Sequence, residues 1–419
     1  MEEKISKCNK CGFCQEVCPT YMITKSEANV ARGRIRLAHL VCEGNYKWGS
    51  EPEIEQHIKS CLLCKACVTN CPSSVATDKI IMAARERINA ANGFSFFHKA
   101  AYRGVFAEQK RFKKVSSLAR FYQHSGARRL VRGSRILGIA KKIKRMEDLL
   151  PPLPKKSFFQ QAPGLVKNTD NPRFKIGYYV GCATNAFFSQ VAVAAVKVLQ
   201  YYNCKIYAPE VECCGGPHQS AGDFDEGKRL AKDTIDKFAG KELDYIVIDC
   251  ATCGSTLKEY AELLKDDVNY SQKAQEVSDK IIDVNKFVLE YLEVDSTRLK
   301  NLNYRVSYHD PCHGVRGLKV SREPRELIKL VPGIEFIEMK QASLCCGGAG
   351  SYCFLQDDNS ETILQLKMER FRETGANILA ASCPACMMQL GHGLRSRNIK
   401  ADTLHPIELL AKALNEFKG

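Results

Sequence analysis

No apolar run in the 419 residues reaches the roughly 18 needed to span a membrane as a helix. Nothing at Met1 follows the charged, apolar and small-residue succession of a secretory leader. The chain is therefore expected in the cytoplasm, where thiols stay reduced. No Gly-x-Gly-x-x-Gly follows a strand-like run, so no dinucleotide or flavin fingerprint is written into it. Acids are nearly missing from one stretch: residues 99–145 carry 15 Lys and Arg and a single acid, Glu108. The flanks are close to balance, with 13 bases against 10 acids over residues 1–98 and 31 against 33 over residues 172–419. Nearly all of the formal net charge of +15 thus sits in one segment. Such a segment suits an acidic partner protein, an anionic membrane surface or nucleic acid. Nucleic acid is set aside, because no recognisable binding motif accompanies the charge.

What the chain has in abundance is cysteine, 21 residues in all. The hydrophobic fraction of 45% is ordinary, so these thiols do not compensate for a missing core as disulfides do in small secreted scaffolds. Almost all of them fall into two spacing patterns, each used twice. The first is Cys8-x2-Cys11-x2-Cys14-x3-Cys18-Pro19, repeated as Cys61-x2-Cys64-x2-Cys67-x3-Cys71-Pro72. The second is a lone Cys, a Cys-Cys-Gly about thirty residues on, and a Cys-x2-Cys about thirty-five further. It occurs as Cys182, Cys213, Cys214, Cys250 and Cys253, and again as Cys312, Cys345, Cys346, Cys383 and Cys386. Clustered soft thiolates select iron–sulfur clusters or zinc.

In the first pattern, short x2 turns aim three thiolates at one corner of a cubane. The fourth ligand in a two-cluster protein comes from the other run, delivered by the turn that the following proline fixes. One 4Fe-4S cluster is therefore assigned to Cys8, Cys11, Cys14 and Cys71, and a second to Cys61, Cys64, Cys67 and Cys18. The second pattern supplies five thiols per copy, one more than a tetrahedral ion needs. Adjacent cysteines suit separate irons of a larger cluster, and Gly215-Gly216 and Gly347-Gly348 allow unusual backbone angles and close approach behind them. A structural zinc on four of the five thiols is the alternative for one copy. Cys42, Cys204 and Cys353 are left over and read as core thiols, with Cys353 nearest in sequence to a cluster.

The fold expected is a multidomain α+β chain. Between the two runs, Lys25 to Lys59 has helical periodicity, which points to an α-helical ferredoxin domain over residues 1–92 carrying two 4Fe-4S clusters. A basic helical linker follows over 93–172. In it Phe112, Val115, Ala119 and Tyr122 share one helical face, Ile136, Ile139, Ile143 and Met146 share another, Gly126 and Gly133 interrupt, and Pro151, Pro152 and Pro154 close it. From Arg173 onward, Lys175–Val180, Tyr245–Ile248, Arg305–Tyr308 and Asn377–Ala380 read as buried strands, each leading into a cysteine. The helical stretches 186–201, 226–238 and 362–372 alternate with them. Alternation predicts parallel sheets, and the same succession occurs twice, giving two duplicated α/β domains over 173–300 and 301–419. His309, His313 and His218 lie beside cysteine ligands, where they tune the centres or simply orient the turns. Arg32 and Arg34 either stabilise reduced clusters or pair with surface acids.

The two ferredoxin-type runs, Arg32-Gly33-Arg34 between them and the two Cys-Cys-Gly domains together resemble the iron–sulfur subunits of glycolate oxidase and D-lactate dehydrogenase over essentially the whole chain. The same modules resemble the B and C subunits of heterodisulfide reductase and the iron–sulfur subunit of anaerobic glycerol-3-phosphate dehydrogenase. The resemblance implies noncubane 4Fe-4S clusters on Cys182, Cys213, Cys214, Cys250 and Cys253, and on Cys312, Cys345, Cys346, Cys383 and Cys386. It further implies electron transfer from an FAD-containing dehydrogenase subunit, which oxidises glycolate or D-lactate, to a quinone, an electron-transfer flavoprotein or another acceptor. Substrate oxidation then belongs to the partner, no catalytic residue is assigned here, and residues 99–145 would touch that partner or the inner face of the cell membrane. The rival expectation is disulfide reduction at the noncubane clusters themselves.

Overall fold

The computed structural model describes residues 1–126, 128–129, 131, 141–167 and 169–414. Among these residues the regular elements up to Leu165 are all helical, and the first strand begins at Phe174. The interval between the two cysteine runs is two helices rather than one. Ala31–Cys42 ends before a turn carrying Gly44 and Gly49 at φ of +82° and +87°, and Pro52–Lys59 restarts with proline in its first turn. The first of these buries Ala31, Ile35 and Ala38, and the helix Thr77–Asn92 buries Ile80, Ile81, Ala84 and Ile88. Ile35 and Ala38 join Ile80, Ile81, Ala84 and Ile88, with Ile58 and Val75, in a small core of their own.

In the basic segment the helix Gln109–His124 buries Phe112, Ser116 and Arg120. This corrects the expected face. Val115 is 48% exposed, Leu118 67% and Phe121 69%, because the line 112–116–120 turns inward toward Phe187 and the Ala186 carbonyl. Ile136, Ile139 and Gly133 lie outside the described residues, as does the side chain of Ile143, and Met146 is exposed. Much of the segment's charge is used internally. Arg103 pairs with Asp223, Lys113 with Glu210, Arg128 with Glu147 and Arg145 with Glu361.

Two four-stranded sheets follow, wholly parallel in their pairings. The first comprises β1 (Phe174–Tyr179), β2 (Cys204–Tyr207), β3 (Tyr245–Ile248) and β4 (Ile281–Asp283), in the order β2-β1-β3-β4. The second comprises β5 (Tyr304–His309), β6 (Ile334–Phe336), β7 (Ile378–Ala381) and β8 (Asp402–Leu404), in the order β6-β5-β7-β8. The central strands β1, β3, β5 and β7 are those that the apolar runs predict. The outer strands β4, β6 and β8 have three residues each, and short edge strands limit unpaired pairing surface. Ile176 pairs with Tyr245, and Val306 with Ile378, so the strand ends that precede Cys182 and Cys250 lie side by side, as do those that precede Cys312 and Cys383. The two halves share one hydrophobic core, in which Val196 and Leu199 of the helix Ser189–Tyr201 join Ile407 and Leu410 of the helix Pro406–Ala413.

Candidate metal and electron-transfer site

The backbone of the two ferredoxin-type runs repeats in detail. Lys10 and Leu63 have φ of +59° and +53°, and Gly12 and Lys65, two residues on, have +92° and +59°. Left-handed turns at matched places point successive thiols the same way. Non-glycine residues hold such angles only where the surroundings over-determine them, and Lys65 is tied by ion pairs to Glu259 and Asp78. Cys8, Cys11, Cys14 and Cys71 line one pocket with about 350 Å³ of empty space, with Cys67 also at its wall. Cys18, Cys61, Cys64 and Cys67 line a second, of about 420 Å³. The fold thus gathers each crossed set of four thiols around one space.

Arg34, buried and not on the surface, secures the second pocket. It donates to the His57 carbonyl at 2.7 Å, the Asn29 carbonyl at 2.7 Å and Ser60 Oγ at 3.0 Å, and it reaches Thr20 Oγ1, which lies 3.1 Å from Cys18 Sγ. Arg32 instead pairs with Glu27 at 2.5 Å and donates to the Lys10 carbonyl at 3.2 Å. Burial pushes the Cys64 thiol up to about 12, helped by the nearby Cys345.

The ten thiols of the second pattern form one continuous line. Cys182 meets Cys213, then Cys214, Cys253 and Cys250; Cys250 meets Cys383, which continues through Cys386, Cys346 and Cys345 to Cys312. The halves therefore touch at Cys250 and Cys383, where Thr252 Oγ1 also lies 3.4 Å from Cys383 Sγ and the Ala251 amide donates to the Ser382 carbonyl at 3.0 Å. The other end of the line reaches the ferredoxin-type pocket: Cys64, Cys345 and Cys312 pack in one cluster with Leu62, Tyr352 and Ile363. Pocket, second half and first half follow one another in that order.

The donor chemistry fits metal–sulfur centres. Hydrogen bonds from flanking thiols hold three sulfurs well below the usual thiol range: Cys214 from Cys213 and Cys253, Cys345 from Cys312 and Cys346, and Cys383 from Cys250 and Cys386. Thiolate is the metal-binding form. Behind each pair, Gly215 and Gly347 have φ of +77° and +82°, and a Cβ on Gly347 would stand 2.7 Å from the Ser360 carbonyl. Only glycine fits there without movement.

The halves differ in what surrounds the thiols. The last residue of β1 is Tyr179, whose hydroxyl donates to the Glu212 carbonyl at 3.4 Å; the last residue of β5 is His309. Lys367, fully buried, donates to the carbonyls of Gln341 at 3.0 Å and Ala342 at 2.7 Å beside Cys346, Cys345 and Cys386. Its sequence context, a lysine inside a helix, gives no sign of this. His313 Nδ1 lies 3.7 Å from Cys312 Sγ, whereas His218 packs edge-on against Tyr102, with ring centroids 5.6 Å apart. The remaining cysteines stand apart from the line: Cys353 Sγ donates to the Gly350 carbonyl at 3.2 Å, Cys204 lies in β2, and Cys42 packs in the N-terminal core.

Three family models match this layout: a 4Fe-4S dicluster domain over residues 4–75, the linker region of the glycolate oxidase iron–sulfur subunit over 95–150, and a cysteine-rich domain twice, over 176–258 and 306–391. The probable glycolate oxidase iron–sulfur subunit of Bacillus subtilis is 31% identical over 98% of this chain and 94% of its own length. The chain belongs to the glycolate oxidase iron–sulfur subunit family. Within reach of that family are lactate utilization protein A of Geobacillus, 30% identical over 56% of this chain and 98% of its own, and one subunit of the fumarate reductase (CoM/CoB) of Methanothermobacter marburgensis, 29% identical over 59% of this chain and 48% of its own. A hypothetical protein from Helicobacter pylori shares the fold, with a TM-score of 0.55 at 11% identity, covering 99% of this chain and 73% of that one. Among the described residues of this family member, no helix is long and apolar enough to cross a membrane.

Proposed function

We propose that this chain is the iron–sulfur electron-transfer subunit of a flavin-dependent 2-hydroxy-acid dehydrogenase, with glycolate or D-lactate as the substrate class. Support comes from the named relatives and from one observation above all, the unbroken succession of thiols from the ferredoxin-type pockets to Cys182. In this reading Cys8, Cys11, Cys14 and Cys71 hold one cubane 4Fe-4S cluster and Cys18, Cys61, Cys64 and Cys67 a second, within an α-helical unit spanning 1–92. The linker 93–172 joins it to the units 173–300 and 301–419, whose five-thiol sites each hold a further metal–sulfur centre. Clusters of this kind supply one-electron carriage at potentials set by charge, hydrogen bonding and exposure.

The residues of the chain do the rest. Buried walls keep water from the thiols of both halves, Arg316 and Lys367 place positive charge beside the second site, and the contact of Cys250 with Cys383 keeps the two halves' sites adjacent. Flavin and hydroxy acid sit on a partner subunit, since the sequence carries no flavin fingerprint. The exposed face of the helix Gln109–His124, with Lys110, Lys114, Leu118 and Phe121, rests on anionic lipid and brings the wire near a quinone.

The test is reconstitution. The iron–sulfur absorption of the anaerobically purified chain should be bleached by a 2-hydroxy acid when a flavoprotein dehydrogenase subunit for that acid is added, and should not change without it. Bleaching by a thiol–disulfide couple without any flavoprotein would favour disulfide chemistry instead.

A further inference from the structure

The two five-thiol sites are not equivalent in donors, and the difference lies at one position. The final residues of β1 and β5 each precede the lone cysteine by three residues, and they are Tyr179 and His309. Tyr179 has a hydrogen-bond acceptor in the Glu212 carbonyl. His309 is 1% exposed and neither ring nitrogen has a hydrogen-bond partner. A buried polar ring without a partner keeps an uncompensated desolvation cost. One of its ring nitrogens and the Sγ atoms of Cys346 and Cys386 lie within 4.8 Å of one another.

From this geometry we infer that His309 is a nitrogen ligand of the metal centre in the second site, making that site a mixed imidazole–thiolate centre while the first is sulfur-only. The inference rests on reading the five-thiol sites as metal–sulfur centres. The spacing suits one shared metal, since metal–nitrogen and metal–sulfur bonds are about 2.0–2.1 and 2.3 Å in the case of zinc. The Ala342 carbonyl stands beside the ring, outside hydrogen-bond geometry, as an acceptor for whichever nitrogen does not ligate. Replacing thiolate by imidazole raises the potential of an iron–sulfur centre, so the second site should titrate above the first.

The test is pulsed EPR on anaerobically purified full chain, unlabelled and labelled with 15N-histidine, with the second site's signal identified as the one that Cys386→Ser removes. A directly bonded nitrogen coupling that follows the label, persists in His313→Leu and vanishes in His309→Leu is expected. Should His309→Leu lose metal, His309→Cys, which keeps a donor, should retain iron and still lack the coupling. If metal analysis finds zinc at the second site, the zinc absorption edge reads the same question, with a mixed sulfur–nitrogen shell turning all-sulfur in His309→Cys. A label-insensitive signal, a coupling that survives both His309 variants, or an all-sulfur zinc shell in the parent protein overturns the assignment. Iron against zinc content separately decides the electron-wire reading, so the two can fail independently.

Discussion

Arg316 Nη1 donates a 3.2 Å hydrogen bond to the Cys64 carbonyl, and its Nη2 donates one of 3.0 Å to the Ser343 carbonyl, two residues before Cys345. One guanidinium therefore fixes the ferredoxin-type pocket against the second five-thiol site. Arg316→Met removes both charge-assisted bonds. Thermal unfolding should show a loss of about 1–3 kcal/mol, and stopped-flow reduction should show slower passage of electrons from the ferredoxin-type clusters into the second half. An unchanged rate would mean that the gap at Cys64 and Cys345 is not set by this contact.

Lys367 is a buried cation whose neighbours are thiols. Burial pushes its ammonium down to about 7, and negative charge on Cys346, Asp310, Cys345 and Cys386 works against that fall, so a negatively charged centre beside it favours the cation. Lys367→Met should lower the reduction potential of the second site and leave the first unmoved, because adding an electron there would lose its compensating cation. Potentiometric titration followed by EPR reads both sites at once, and a uniform shift of all centres would count against a local effect.

Asp223 joins the linker to the first half. It accepts from Arg103 at 2.8 Å through both oxygens and from His98 at 2.8 Å. Burial pushes its carboxyl up, but the hydrogen bonds and charges of Arg103 and His98 outweigh this and hold it at about 2. A depressed carboxylate stabilises the fold above its unfolded value near 4 and loses that contribution as pH falls toward 2. After discounting for solvent around the half-exposed Arg103, the contribution is about 1–2 kcal/mol. Urea unfolding between pH 6 and pH 2 should show this loss in the parent chain and a flatter profile, lower at neutral pH, in Asp223→Asn.

Leu118 and Phe121 are 67% and 69% exposed on a helix that also presents Lys110 and Lys114. Vesicles containing phosphatidylserine should co-sediment with the chain, less so at higher salt, with each surface base contributing about 1 kcal/mol. Leu118→Glu with Phe121→Glu should abolish the association, while neutral vesicles should bind neither form. Equal sedimentation of both forms would remove the membrane from this part of the proposal.

The sequence carried the positions of the central strands because β1, β3, β5 and β7 are apolar runs buried on both faces. It did not carry β6 or β8, whose three residues each, Ile-Glu-Phe and Asp-Thr-Leu, hold too little pattern to read. The gathering of the eight ferredoxin-type thiols around two spaces was legible in their spacing and in Pro19 and Pro72 after each run. The meeting of Cys250 with Cys383 was not, because duplication in sequence says nothing of how two copies face each other. Arg34, for which the sequence left open a place beside a cluster or an ion pair on the surface, is a buried strut beside the second pocket. The basic segment read as amphipathic helices linking two domains, and the sequence did not show that Arg103, Lys113, Arg128 and Arg145 pair within the chain. Lys367 had no signal at all, since a lysine in a helix is ordinarily solvated.

The most direct measurement is the iron, acid-labile sulfide and zinc content of the anaerobically purified chain. Two cubanes and two five-thiol clusters require about sixteen irons per chain with matching sulfide and little zinc. About eight irons, with the five-thiol sites empty or holding zinc, would contradict an electron path running from Cys8 to Cys182.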